Sequence, residues 1–437
     1  MGNKFENVRC PICDTTGQWQ CVDEHRNKPE GMYICQNCGM VNYPDTIEQA
    51  EKLKEFYREE YREAPTVQNM YTGTRKLFYH GAFLGSLFQQ WKKEGLVNPA
   101  ICEIGAAFGM FLDWVRFNIP QAKVFGTELT KTYRRVAYHM FNLKLDEDFD
   151  ASQKYDLICS YKVAEHQVDV DKFLRTYVES LTPNGKMYIS VPCWFGSMTN
   201  FGVSGFSLDY YYHKNHVNVW TRKLFETLLL KVGLEIEKQN HTYYDSTYLC
   251  KRNDALMSAP REFEKYEEII AKMAAIKKAS LLHDSGDFKG AIATYPNFPE
   301  AYRNLYELSR AQQHQLGFDG IYKGIIAEAI TACPQAAQMH MFAGDLCMRY
   351  DNWAMAIGHF ETVMEMRPND TEAQLMMSQC FRQLASLERD TAKKEELIKN
   401  ARNIMRSVSQ TSMQTFAEAK TWEMRDNADL PTPWENN

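Results

Sequence analysis

Ala100-Ile101-Cys102-Glu103-Ile104, Gly105-Ala106-Ala107-Phe108-Gly109, Met110 to Asn118 and Lys123-Val124-Phe125-Gly126-Thr127-Glu128 decide how this chain folds. The first five residues are a short apolar run bounded by turn residues, the pattern of a buried strand. The next five supply a sharp turn. Glycine, lacking a Cβ, tolerates the backbone such a turn needs and lets a ligand approach the main chain. Met110 to Asn118 has an apolar helical pattern, and Lys123 to Thr127 reads as a second strand ending on an acid, Glu128. Strand, glycine-rich loop, helix, strand and terminal acid is the layout of a nucleotide-binding unit in a doubly wound sheet, with the acid placed to accept from ribose hydroxyls. A turn that needs glycine for packing alone would share this local pattern, so the decision passes to the flanking sequence.

Downstream, Thr130 to Asn142 has helical spacing and a short strand is expected around Leu143-Lys144-Leu145. Tyr155-Asp156-Leu157-Ile158-Cys159-Ser160 reads as a buried strand running into Tyr161-Lys162-Val163-Ala164-Glu165-His166. A helix near Asp169 to Leu181 is expected to close on the turn Thr182-Pro183-Asn184-Gly185, with glycine past the helix end. Lys186 to Val191 is the next strand, and Glu235 to Asn240 and Thr247 to Lys251 are the closing pair. Alternating strands and helices predict a mostly parallel sheet covered on both faces, with ligands at the carboxyl ends of its strands. Gly105 to Gly109, Glu128 and Glu165-His166 all fall there.

These motifs, in this order, resemble class I S-adenosylmethionine-dependent methyltransferases. The matching residues are Glu103-x-Gly105-x-x-x-Gly109, Glu128 one strand later, Ala164-Glu165-His166, Leu181-Thr182-Pro183-Asn184-Gly185-Lys186 and His216-Val217-Asn218-Val219-Trp220-Thr221. They are similar in particular to a sugar and small-molecule branch that carries a double-knuckle ribbon ahead of the catalytic domain. The resemblance covers roughly residues 8 to 252. It implies a Rossmann-like sheet that binds S-adenosylmethionine through Glu103, Gly105, Ala107, Gly109, Glu128 and Glu165. Ala107 stands where the family's loop has its middle glycine, and Ala164 where it has leucine. The Asn/Asp-Pro-Pro-aromatic signature of exocyclic and amide nitrogen methylation is missing after the fourth strand, which disfavours adenine and glutamine acceptors. Transfer to a hydroxyl needs a base, and His166 and His216 are the imidazoles at the cofactor end of the sheet. Cys193 follows the fifth strand with nothing nearby in sequence to activate it.

Toward the N-terminus, Cys10-Pro11-Ile12-Cys13 and Cys35-Gln36-Asn37-Cys38 form two C-x-x-C knuckles, with Cys21 spare between them. Four thiolates at this spacing suit tetrahedral zinc and leave no open coordination position, so the expected metal is structural. Asp45 to about Arg62 places Ile47, Ala50, Leu53 and Phe56-Tyr57 on one face of a connector helix. Pro192 to Tyr212, rich in aromatics and glycine, is placed to cover the substrate or to pack between domains. Ala259 to Lys278 is charged and helical, and only helical patterns follow as far as Gln410. Counting from Ala337, small and large residues at Ala343-Gly344, Trp353, Ala356, Phe360, Val363 and Pro368 match a tetratricopeptide repeat, with Gly286 to Ile292 the middle of a shortened copy. Such repeats bind a partner segment or cap a neighbouring domain.

The expected fold is therefore α/β, a Rossmann-like methyltransferase sheet with an N-terminal zinc ribbon and a C-terminal all-α repeat domain. The expected divisions are ribbon 1–44, helical connector 45–98, methyltransferase domain 99–255, repeats 256–412 and flexible tail 413–437. Across 437 residues the net charge of -6 gives no electrostatic footprint for a nucleic-acid backbone, and acidic Asp23, Glu24 and Glu30 interleave with Arg26 and Lys28 in the ribbon. No apolar run approaches the roughly 20 residues of a membrane span. Outside Cys10 to Cys38, cysteines such as Cys102, Cys159 and Cys250 sit singly in apolar strands, as in a reducing, cytoplasmic compartment. The expected acceptor is a small molecule or glycan, with a sugar or nucleotide-linked sugar methylated on oxygen favoured. The competing reading is a repeat-based scaffold whose methyltransferase domain recognises or methylates a protein partner.

Overall fold

The computed structural model describes residues 7–25, 28–42, 47–60, 83–192, 216–241, 245–261, 263–311, 313–334, 336–367 and 370–410. The expected aromatic cover beyond Pro192, Cys193, connector residues 61–82, Pro368 of the repeat pattern and the C-terminal tail lie outside these residues.

A six-stranded sheet organises the described chain. Its strands are β4 (Ala100–Ile104), β5 (Lys123–Thr127), β6 (Tyr155–Tyr161), β7 (Leu181–Pro192), β9 (Leu234–His241) and β10 (Asp245–Arg252), in the order β5-β4-β6-β7-β10-β9. The first four are parallel, and β10 runs antiparallel between β7 and β9. Alternation along the strands feeds two cores. Ile101, Leu157, Tyr188 and Leu249 pack on one face with Leu84, Leu112 and Val115. Cys102, Ile158, Ile189 and Tyr248 pack on the other with Leu174, Phe225 and Leu228. Burial on both faces is what makes these strands read as continuous apolar runs.

The helices flanking the sheet are α2 (residues 83–94), α3 (Met110–Asn118), α4 (Lys131–Phe141), α5 (Val170–Glu179) and α6 (Arg222–Lys231). The Asp169 carboxylate caps α5 by accepting from Lys172 N at 3.0 Å, and Thr221 caps α6 by accepting from Leu224 N at 3.2 Å. Two local expectations differ from the structure. The strand around Leu143 to Leu145 reduces to a single parallel bridge between Thr127 and Asp146. Thr182 to Gly185 is not a helix-ending turn. Helix α5 ends on Ser180 in right-handed conformation, and the four residues loop out inside β7, between the pairs Tyr155↔Leu181 and Leu157↔Lys186. Thr182 Oγ1 anchors the bulge on Asp156 Oδ1 at 3.0 Å, and a Cβ at Gly185 would lie 2.7 Å from the Tyr155 carbonyl.

The N-terminal sheet contains β1 (Trp19–His25), β2 (Lys28–Cys35), β3 (Val41–Asn42) and β8 (Asn218–Val219) in that order. Its last strand thus comes from the segment that leads into α6. The first knuckle is also docked by charge. Lys231 of α6, 3% exposed, donates to Pro11 O and Asp14 Oδ1, both at 2.6 Å, and pairs with Asp171 of α5 at 3.4 Å.

Helix α1 (Ile47–Glu55) continues as a wider turn over Phe56–Glu60. After β10 the described elements are helical as far as Gln410. Helix α7 spans Tyr266–Asp284; it starts later than the sequence pattern suggested because Ala259 before Pro260 is extended, and it runs on past Lys278 to Asp284. Then come α8 (Phe288–Thr294), α9 (Pro299–Ala311), α10 (Gln313–Ile321), α11 (Ala327–Ala332), α12 (Ala337–Arg349), α13 (Trp353–Met366), α14 (Thr371–Leu387) and α15 (Thr391–Gln410). Gly344 lets α12 and α13 approach closely, since a Cβ there would lie 2.4 Å from the Phe360 ring. Among the described residues no helix is long and apolar enough to cross a membrane.

Candidate active site

Strand β4 has β5 on one side and β6 on the other, so the chain reverses its winding at the carboxyl end of β4, where a doubly wound sheet opens a crevice. The loop leaving β4 takes left-handed backbone at Gly105 (φ 66°), Ala107 (φ 51°) and Gly109 (φ 75°). At Gly105 a Cβ would also meet Val163 Cγ2 at 2.8 Å, and at Gly109 it would meet Leu143 Cδ1 at 2.9 Å. The loop is therefore held against both neighbouring segments with no room for larger residues. Glu128 ties it down, because Oε2 accepts from Ala107 N and Oε1 from Thr130 N, each at 2.9 Å. The acid expected to meet a ribose thus also braces the loop from beneath. Glu103, on β4 two residues before the loop, is 1% exposed.

A second group assembles beyond β6. Lys162, at φ 60°, is ion-paired with Asp245 at the start of β10. A short turn, Ala164–His166, follows and buries the Glu165 side chain. Burial pushes the Glu165 carboxyl up to about 7 against the opposing pull of Lys162. His166 Nε2 lies 3.9 Å from Glu165 Oε1, and its Nδ1 is 3.0 Å from the Tyr57 hydroxyl. The His216 ring faces His166 at a centroid separation of 4.9 Å. It is held there because Val217 N donates to Glu165 O at 2.8 Å and Asn218 Nδ2 donates to Gln167 O at 2.6 Å. The two groups adjoin where Val163 packs on Gly105. Gly105, Ala107, Gly109 and Glu128 therefore meet in one loop, and Glu165, His166 and His216 meet beside it.

Tyr57 was legible only as one member of the apolar face of the connector helix. Its backbone carbonyl accepts from Thr130 Oγ1 at 3.0 Å, so this turn is fixed to α4 as well as to His166. Asn42 was not singled out at all. Its Nδ2 donates to Asn218 Oδ1 at 2.7 Å, joining the ribbon to the segment that carries His216.

The four knuckle sulfurs meet as the spacing suggested. Cys10 and Cys38 Sγ are 3.5 Å apart, as are Cys13 and Cys35 Sγ, and all four lie within 4.8 Å of one another. Tetrahedral zinc with bonds of about 2.3 Å would set its sulfurs roughly 3.8 Å apart, so the cluster fits that ion. Cys21 is exposed and outside the cluster.

Residues 79–239 match the family model described as a methyltransferase domain. No curated protein matches the chain. Among solved structures, the chain is similar to an S-adenosylmethionine-dependent methyltransferase from Clostridium acetobutylicum at 13% identity, covering 46% of this chain and 98% of that one, with a TM-score of 0.32. An O-methyltransferase family protein from Burkholderia thailandensis matches at 13% identity over 47% of this chain and 67% of that one, TM-score 0.32. Magnesium protoporphyrin IX methyltransferase from Synechocystis, solved with bound S-adenosylhomocysteine, matches at 13% identity over 47% and 95%, TM-score 0.30. With the Rossmann-like sheet, the family match makes this part of the chain a class I S-adenosylmethionine-dependent methyltransferase domain.

Proposed function

We propose that the chain methylates a hydroxyl of a small polar acceptor, a sugar, nucleotide-linked sugar or glycan, in the cytoplasm. The observation that carries this reading is the meeting of His166 and His216 beside the Gly105 to Gly109 loop. S-adenosylmethionine supplies an electrophilic methyl group on a sulfonium. Glu103, Gly105, Ala107, Gly109 and Glu128 are the residues to hold it, with Glu165 at the border of the acceptor side. The left-handed loop brings main chain rather than side chains to the donor, and Glu128 fixes the loop through Ala107 N. Proximity and alignment then supply most of the acceleration. A hydroxyl acceptor must also lose its proton, and His166 or His216 stands where that proton can go. The division into ribbon, connector, methyltransferase domain, tetratricopeptide-like repeats and tail belongs to the same reading, as does zinc on Cys10, Cys13, Cys35 and Cys38. Supporting a structural role for the zinc, the ribbon contributes β3 to the sheet that continues into β8.

The helical region is proposed to be tetratricopeptide-like, with the close α12–α13 crossing in support, and to take a protein partner segment. Calorimetry with S-adenosylmethionine tests the central assignment. The wild-type chain should bind, and Gly105→Arg, which drives a side chain into Val163 at a left-handed position, should abolish binding. Equal binding by both proteins would refute the loop assignment.

A further inference from the structure

We infer that Glu165, His166 and His216 form a second metal site, for a divalent first-row transition ion, separate from the four-cysteine cluster. One ligand atom from each of the three residues lies within 4.8 Å of the others. A tetrahedral ion with nitrogen and oxygen bonds of about 2.0–2.2 Å places its ligands roughly 3.4 Å apart, so small side-chain rotations close the gap. The wiring of His166 points the same way. When Nδ1–H donates to the Tyr57 hydroxyl, 3.0 Å away, the acceptor lone pair of the ring lies on Nε2. That nitrogen faces Glu165 Oε1 across 3.9 Å, beyond hydrogen-bond reach. A cation seated between them would have a ligand on each side. A hydrogen bond from the outer nitrogen of a ligating histidine is also the usual way its ring is oriented toward a metal.

The second observation is Glu165 itself. Its side chain is 1% exposed, and Oε2 has no hydrogen-bond partner among the described residues. A carboxylate oxygen withdrawn from water and left unpaired is costly, and a bound ion removes that cost. Lys162 acts on this carboxylate from a distance, but its ammonium is engaged by Asp245. Two imidazoles and one carboxylate suit zinc, iron, cobalt or manganese, whereas magnesium and calcium prefer oxygen donors throughout. Three protein ligands leave a position open for an oxygen donor. On the methyltransferase reading, on which only this consequence rests, that donor is the acceptor hydroxyl. The ion would then acidify that hydroxyl, whose proton passes to solvent, and the two imidazoles would serve as ligands in place of the direct base of the preceding reading.

The test uses full-length protein with zinc already in the cysteine cluster, titrated with Mn2+, which thiolates bind poorly. Electron paramagnetic resonance should show about one tightly bound manganese per chain in the wild type. His216→Ala and His166→Ala should each weaken it at least about tenfold, as loss of one ligand of three demands. Zinc content and the melting profile report whether each variant is folded, and a variant that fails either is replaced by His216→Gln or His166→Gln. Free manganese only in the folded wild type, or unchanged binding in the folded variants, overturns the site. S-adenosylmethionine binding by the same wild-type sample separates this failure from failure of the methyltransferase reading.

Discussion

Replacing Asn218 by alanine should cost far more than an ordinary polar truncation, because this side chain joins three parts of the molecule. It is 2% exposed, and Asn42 is 6% exposed. Asn218 Oδ1 accepts from Asn42 Nδ2 at 2.7 Å, while its Nδ2 donates to Gln167 O at 2.6 Å and, at a longer 3.3 Å, to Ala164 O. Alanine removes all three bonds and leaves the buried Asn42 amide and the Gln167 carbonyl without these partners. Each orphaned buried group costs about 1–3 kcal/mol, so the two short bonds together predict a loss of roughly 2–6 kcal/mol. Urea unfolding should show it as a lower midpoint at unchanged slope. Asn42→Ala breaks only the bridge to the ribbon, and a double-mutant cycle between the two positions should return a coupling of about 1 kcal/mol or more. The amide of Val217, which donates to Glu165 O at 2.8 Å, offers a local readout by hydrogen exchange. It should exchange faster in Asn42→Ala, although that residue lies in the ribbon. A coupling below about 0.3 kcal/mol, with Val217 exchange unchanged, would refute the claim that the ribbon holds His216 in place.

Two further outcomes follow from backbone and titration chemistry. Ala107 holds left-handed backbone at φ 51°, which costs a residue with a Cβ about 1–2 kcal/mol, whereas glycine pays about 0.5–1 kcal/mol in chain entropy. Ala107→Gly should therefore leave stability unchanged or raise it by up to about 1.5 kcal/mol in thermal unfolding, and a clear loss would contradict the assigned loop conformation. In the helical region His359 is pushed down to about 4 by burial and by His340, and the Tyr322 hydroxyl lies 2.9 Å from its Nε2. His340, whose Nδ1 is 3.2 Å from His359 Nδ1, is lowered by burial as well. Both imidazoles are thus held neutral in the fold. Above the ordinary histidine value of about 6.5 neither state gains a proton, so stability is intact there. As pH falls from there toward 4, the unfolded chain takes up protons that the fold refuses, and stability is lost. Circular dichroism against urea should show that fall, and His359→Gln should flatten it.

The parts of the fold that sequence alone exposed are those in which a few neighbouring residues decide the outcome. Strands β4 and β5 and helix α3 fell where the apolar runs placed them, because burial on both faces and a glycine turn are local signals. The Thr182 to Gly185 turn was misread because its glycine answers a contact with the Tyr155 carbonyl, on another strand, and not the end of α5. In the candidate site the nearest-neighbour features, Gly105 to Gly109 and Glu165-His166, were visible for the same reason. What gives those residues their geometry was not. Tyr57 meets His166 across 109 positions of sequence, Asn42 meets Asn218 across 176, and Lys231 meets Asp14 across 217. In each case a residue with an ordinary local role, on an apolar helix face, in a ribbon strand or at a helix end, is given a second role by the tertiary fold. The N-terminal sheet is therefore tied to the candidate site. Its β3 edge and Asn42 support β8, and β8 continues the short segment that sets His216 against His166. Because β3 follows Cys38 closely in the chain, the Asn42–Asn218 coupling is the measurement that decides whether the N-terminal sheet supports the imidazole pair.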